Sequence, residues 1–204
     1  MKPEQNIIFE KTYDDYLAQV RSLEDVTSRL DRLGLVMRSG AVVMPLFDRT
    51  FFLKETGLVD AAGRRPDFAA CVILLKYLLL CPESPPAEKE WVTYRGLKDS
   101  GPLTKYFAND VERALADCFG HSAAEFMTVG RRAGGVAPDL DAACDAALRF
   151  EALPRVPLII QLNEADADFP ASCTVLFERR AERYLDAECL AVLGRYCFAR
   201  LGEL

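Results

Sequence analysis

Two apolar runs of strand length, residues 156–162 (VPLIIQL) and 172–177 (SCTVLF), flank a polar bend at 163–170 and predict a β-hairpin. Residues 68–81 (FAACVILLKYLLLC) are apolar nearly all the way round, the pattern of a helix covered on more than one side. Asp67 is placed to cap that helix and Pro82 to stop it. Earlier, Tyr13, Tyr16, Leu17, Val20, Leu23, Val26, Leu30 and Leu33 recur near a helical period with one drift at Ser22. One broken helix or two short ones, ended by Gly34, would give that pattern. Segments 35–38, 41–47 and 50–54, punctuated by Ser39-Gly40 and Thr56-Gly57, predict a small antiparallel meander.

Residues 82–90 (PESPPAEKE) form a surface loop and the best candidate for an internal joint. A short strand is expected at 91–94, an amphipathic helix at 103–119 closed by Gly120, and a second helix at 122–133 ended by Gly134-Gly135. Residues 143–148 read as a strand leading into the hairpin, and Asp186 as the N-cap of a final helix with Leu190, Leu193, Cys197 and Leu201 on one face. The strands thus fall in two groups separated by helices, without the βαβ alternation of a parallel sheet. The expected fold is α+β, with mainly antiparallel sheets packed against a buried central helix and further helices, in one domain over residues 1–204.

Several local motifs give the chain a family resemblance. These are Leu153 to Pro157 as a Leu-Pro-x-Val-Pro lead-in, an Asp-rich bend ending in Phe169-Pro170, Leu176-Phe177 closing a strand, and Tyr184-Leu185 with Glu188 before the last helix. Together with the apolar helix, the Trp91 strand and Gly134-Gly135, they resemble the domain-of-unknown-function family DUF3786 from about Phe68 onward. The chain departs from the family pattern at Ala167 and Glu178, where members carry acids and Asp. It also lacks the clustered cysteines of the iron-sulfur module joined to some relatives. The resemblance implies a cytoplasmic α+β domain with a distribution leaning toward anaerobic microbes, and it supplies no reaction, cofactor or ligand.

A net charge of -6 with scattered Lys and Arg weighs against nucleic acid as a partner. No apolar run reaches the roughly 20 residues that cross a bilayer, and the N-terminus lacks the apolar core of a secretory signal, so membrane attachment is not expected and the cytoplasm is. The seven cysteines contain no CxxC pair and the chain has one histidine, His121. Buried free thiols are the better reading than a zinc or iron-sulfur site.

Two candidate sites stand out. Glu164, Asp166 and Asp168 could converge on a hard cation, or serve as Asx-type residues of a solvated turn. Trp91, Tyr94 and Tyr106, with Phe107, could wall a pocket for a flat ligand near the 96–102 loop, or pack in the core. Arg155 could present a guanidinium to a ligand's carboxylate or phosphate, or salt-bridge the acidic bend or Glu178 as an internal latch. No Ser, Cys or Asp partner for His121 can be assigned, and no complete catalytic constellation is visible. The leading expectation is a non-catalytic accessory domain binding a small molecule, cofactor or protein, and the alternative is a metal-dependent hydrolase using residues 164–168. Cofactor identity and oligomeric state stay open.

Overall fold

The computed structural model describes residues 3–140 and 143–204. The N-terminal apolar pattern resolves into two helices, α1 (Pro3–Arg21) and α2 (Val26–Leu33), broken where the period drifts near Ser22. Gly34 ends α2 at φ 71°, a left-handed position that costs glycine little. A four-stranded antiparallel meander follows: β1 (Val36–Arg38), β2 (Ala41–Leu46), β3 (Arg49–Lys54) and β4 (Gly57–Asp60).

Helix α3 (Phe68–Leu79) occupies the centre. The Asp67 carboxylate accepts the Ala70 N–H at 2.8 Å and starts it, and Ala70, Cys71, Ile73, Leu74, Leu75, Tyr77 and Leu78 are all buried. Each large aliphatic side chain withdrawn from water here contributes about 2 kcal/mol. α3 packs on α1, α2, β2 and the last helix, α6 (Ala187–Leu201), which is why its sequence has no polar face. Lys76, its one charged residue, reaches Asp186, the residue whose carboxylate also caps α6 through the Cys189 N–H.

The second sheet has the order β5-β8-β7-β6, all antiparallel, from β5 (Trp91–Thr93), β6 (Ala146–Leu153), β7 (Val156–Asn163) and β8 (Ser172–Glu178). The expected hairpin is β7–β8, with Leu158 opposite Phe177 and Leu162 opposite Cys173. β6 starts and ends later than the sequence suggests. Leu148, Phe150 and Ala152 are buried while Arg149 and Glu151 turn outward, a period of two that carries the strand through two charged residues. β6 and β7 therefore form a second hairpin turning at Pro154-Arg155, which the sequence reading took for a stiff extended lead-in.

Helix α4 spans residues 104–119, and its middle, Ala108–Arg113, is π-helical. Helix α5 (Ala123–Arg132) follows, with Ser122 accepting the Glu125 N–H at 3.1 Å. One hydrophobic cluster joins both sheets and the helices between them, and the sheets touch where the Phe47 amide donates to the Ala152 carbonyl at 2.9 Å. Among the described residues no helix is long and apolar enough to cross a membrane.

Candidate functional site

β5 pairs with β8 only from Thr93–Leu176 to Trp91–Glu178, so on that side β8 has no strand beside residues 172–175. Exposed ladder groups at such an edge need another partner. The π-helical stretch of α4 lies there and supplies one: the Glu112 carboxylate accepts the Val175 N–H at 3.0 Å. An extra residue per turn widens a helix locally and re-aims its side chains, and such segments gather at functional sites. Burial raises the Glu112 carboxyl above its usual range, and the Val175 N–H offsets this only in part.

Glu112 is also the wall between two open cavities. One of about 310 Å³ is lined by Tyr94, Phe107, Thr93, Arg95, Thr104 and Thr174, and one of about 290 Å³ by Arg113, Ala116, Asp117, Ser172 and Cys173, with Ala108 and Glu112 common to both. The aromatic side is closely packed. Tyr94 and Phe107 stack with ring centroids 4.2 Å apart and planes 6° from parallel, and the Tyr94 hydroxyl donates to the Ala187 carbonyl at 2.8 Å. Burial pushes the Tyr94 phenol up to about 12, so it stays a neutral donor. Gly194 of α6 lets Phe107 approach: a Cβ there would meet Phe107 Cε2 at 2.5 Å. The site offers a half-buried carboxylate, an aromatic wall and three threonines to a ligand that donates hydrogen bonds, with the exposed Arg95 guanidinium also on its lining.

The aromatic residues expected to share one pocket are divided. Tyr94 and Phe107 line the Glu112 cleft and are buried in the core as well. Tyr106, next in sequence to Phe107, opens into a different cavity against α6. Trp91 is half-buried opposite Glu178 on β8 and lines neither.

Arg155 sits in the β6–β7 turn, where its Nε donates to the Arg32 carbonyl at 3.1 Å and its amide donates to the Tyr77 hydroxyl at 3.1 Å. Tyr77 in turn donates to the Leu33 carbonyl at 2.8 Å. These bonds satisfy the last carbonyls of α2, which a helix cannot pair internally. The expected salt bridge to the acidic bend or to Glu178 does not form. The bend lies at the other end of β7, on the order of 25 Å away by strand rise, and Glu178 pairs with Arg180 instead.

In the acidic bend the three carboxylates do not converge. Glu164 accepts the Ala123 N–H at the start of α5, and Asp166 Oδ1 accepts the amides of Asp168 at 2.8 Å and Phe169 at 2.7 Å. The carboxylates of Glu164 and Asp166 are thus committed to backbone amides, as in an Asx turn. Among the described residues no group of three His, Cys, Asp or Glu is placed to hold a metal ion. His121 is exposed and pairs with Glu125 at 3.1 Å, one turn along α5. All seven cysteines are free.

Sequence reasoning missed Glu112. The helical period through Phe107, Val111 and Leu115 puts it on the flank of an ordinary helix, and a π-helical turn leaves no mark in that period.

These elements together define an α+β domain of two antiparallel sheets around a central apolar helix. The chain belongs to the domain-of-unknown-function family DUF3786, whose family model matches residues 25–200. No curated protein and no solved structure matches it.

Proposed function

We propose that this is a non-catalytic binding domain whose cleft takes a small molecule presenting a protonated amine or another N–H donor to Glu112, against the Tyr94–Phe107 wall. The observation that carries this reading is the Glu112 carboxylate, drawn out of water by a π-helical turn and shared by two cavities. A single backbone N–H is its hydrogen-bond partner among the described residues. A carboxylate has lone pairs for several donors, so capacity remains for a ligand. Aromatic faces add attraction for a cation or a flat ring. Seven unpaired thiols support a reducing, cytoplasmic setting.

The test is thermal unfolding against a panel of amines, cofactors and metal salts, with tyramine as the reference aromatic amine. Tyramine should raise the melting temperature of the wild type and not that of Glu112→Gln, since a bound ligand stabilises the state it binds. A panel without any stabilising compound, or an equal rise in Glu112→Gln, would refute the reading. The metal-hydrolase alternative finds no support in the acidic bend, where the carboxylates of Glu164 and Asp166 hold backbone amides.

A further inference from the structure

A further cavity lies between the start of α3, Tyr106 of α4 and α6. Tyr106, next to the Phe107 that lines the Glu112 cleft, borders a cavity of about 250 Å³. Arg49, Arg195 and Arg200 face this space together with Asp67 and Glu203. Arg200 is held by Asp48 at 2.6 Å and by Glu203 at 3.3 Å, and Arg49 by the same Glu203. Arg195 is exposed, lies 4.9 Å from the Phe198 ring centroid, and among the described residues has no carboxylate within salt-bridge distance.

The second observation is Tyr196. It lines the same cavity, only 6% of its surface is exposed, and its O–H has no acceptor, while the Arg49 guanidinium acts on its oxygen as a donor. A buried donor without an acceptor destabilises a fold, so it needs a reason. Asp67, Arg49 and Glu203, whose charges act on it, all line the cavity, so the phenol end lies near that rim, covered by its neighbours rather than open to solvent.

Beyond this polar end the walls turn largely apolar. Ala69 and Val192 are shared with an adjoining cavity of about 340 Å³ that continues along Phe68, Val72 and Tyr16 and is also bordered by Lys76 and Glu188. Phe68 is 43% exposed and Tyr106 38%. An end with one guanidinium outside any salt bridge among the described residues and a donor without an acceptor, and a largely apolar trough leading away from it, match one ligand shape.

We propose that this groove binds an amphipathic organic carboxylate, its head group taken by Arg195, Arg49 and the Tyr196 hydroxyl and its apolar body lying along Ala69, Val192 and Val72. The guanidinium groups would meet the carboxylate as charge-assisted donors, and the Tyr196 O–H would gain its missing acceptor. A cationic amphiphile would meet the same arginines as like charges. The site is separate from the Glu112 cleft and does not depend on what that cleft binds.

Octanoate is the probe, titrated calorimetrically into the intact chain. Wild type should bind octanoate more tightly than butyrate, because the longer chain withdraws more methylenes from water, and should not bind octylamine. Tyr196→Phe and Arg195→Ala should each weaken octanoate about tenfold, and Glu112→Gln should leave it unchanged. Tyr196→Phe without ligand should melt no lower than wild type, since it removes an unsatisfied hydroxyl. Arg195 is on the surface, so its variant tests the site without disturbing the core. No octanoate binding by wild type, equal binding of octylamine, or undiminished binding by Tyr196→Phe and Arg195→Ala would overturn the proposal.

Discussion

The Val175 amide and the Glu112 carboxylate, 3.0 Å apart, tie β8 to the π-helical turn of α4 at the point where β5 has ended. One bond therefore completes the sheet edge and holds a carboxylate in a cleft. The two roles separate by substitution. Glu112→Gln keeps an acceptor for Val175, whereas Glu112→Ala orphans the N–H and should cost about 1–3 kcal/mol more in chemical unfolding. Equal stabilities would show that the bond contributes nothing.

The same carboxyl sets a pH dependence. Because burial raises the folded-state value above the ordinary 4.5, the contribution of Glu112 to stability is fully present below 4.5 and is lost as pH rises through the folded-state value. The melting temperature of wild type relative to Glu112→Gln should therefore fall as pH is raised from 4 toward neutrality. A flat or rising difference would contradict the burial of this group.

Asp48 and Arg200 should behave oppositely. Burial disfavours the Asp48 charge, but the Arg200 guanidinium outweighs it and holds the carboxyl below its ordinary 3.8. Their bond joins the β2–β3 turn to α6, and its contribution is present above 3.8 and lost as pH falls through the lowered folded-state value. Arg200→Ala should lower stability at pH 7 and have little further effect once Asp48 is protonated in acid; acid-resolved unfolding curves of the two proteins check this.

Gly194→Ala tests how tightly the aromatic wall is built. The added methyl would meet Phe107 Cε2 at 2.5 Å, so the ring must shift and its stack on Tyr94 must open. Overpacking of this kind costs about 1–3 kcal/mol, and near-ultraviolet circular dichroism should report a changed tyrosine environment. An unchanged spectrum and melting point would mean that α6 yields and the wall is soft.

In the acidic bend, Glu164→Ala should destabilise the chain by about 1 kcal/mol by uncapping the α5 N-terminus. Asp166→Ala and Asp168→Ala should leave Mg²⁺ and Ca²⁺ uptake by equilibrium dialysis the same as in wild type. Uptake by wild type that either variant abolishes would restore the metal reading of the bend.

The elements legible in the sequence were those whose period survives folding. The all-apolar run of α3 required cover on every side, and the hairpin strands 156–162 and 172–177 required each other. Arg149 and Glu151 hid the end of β6, because two outward charges in a short window look like the end of a strand rather than one face of it. That error carried Arg155 into an extended arm, when it is a turn residue pinned to α2. Tyr94 and Phe107 could be named as an aromatic wall from composition alone. Glu112 could not, since its orientation depends on one extra residue in a helical turn and on β5 being three residues long.

The account centres on the cleft at Glu112, and the Val175 amide is its most direct reporter. In a titration of isotopically labelled protein with tyramine followed by amide NMR, the Val175 resonance should shift progressively, with Thr174 and Thr93 alongside it, and Glu112→Gln should abolish the change. Saturating tyramine that leaves Val175 unmoved, or that moves it equally in Glu112→Gln, would contradict the assignment of this carboxylate as the binding group.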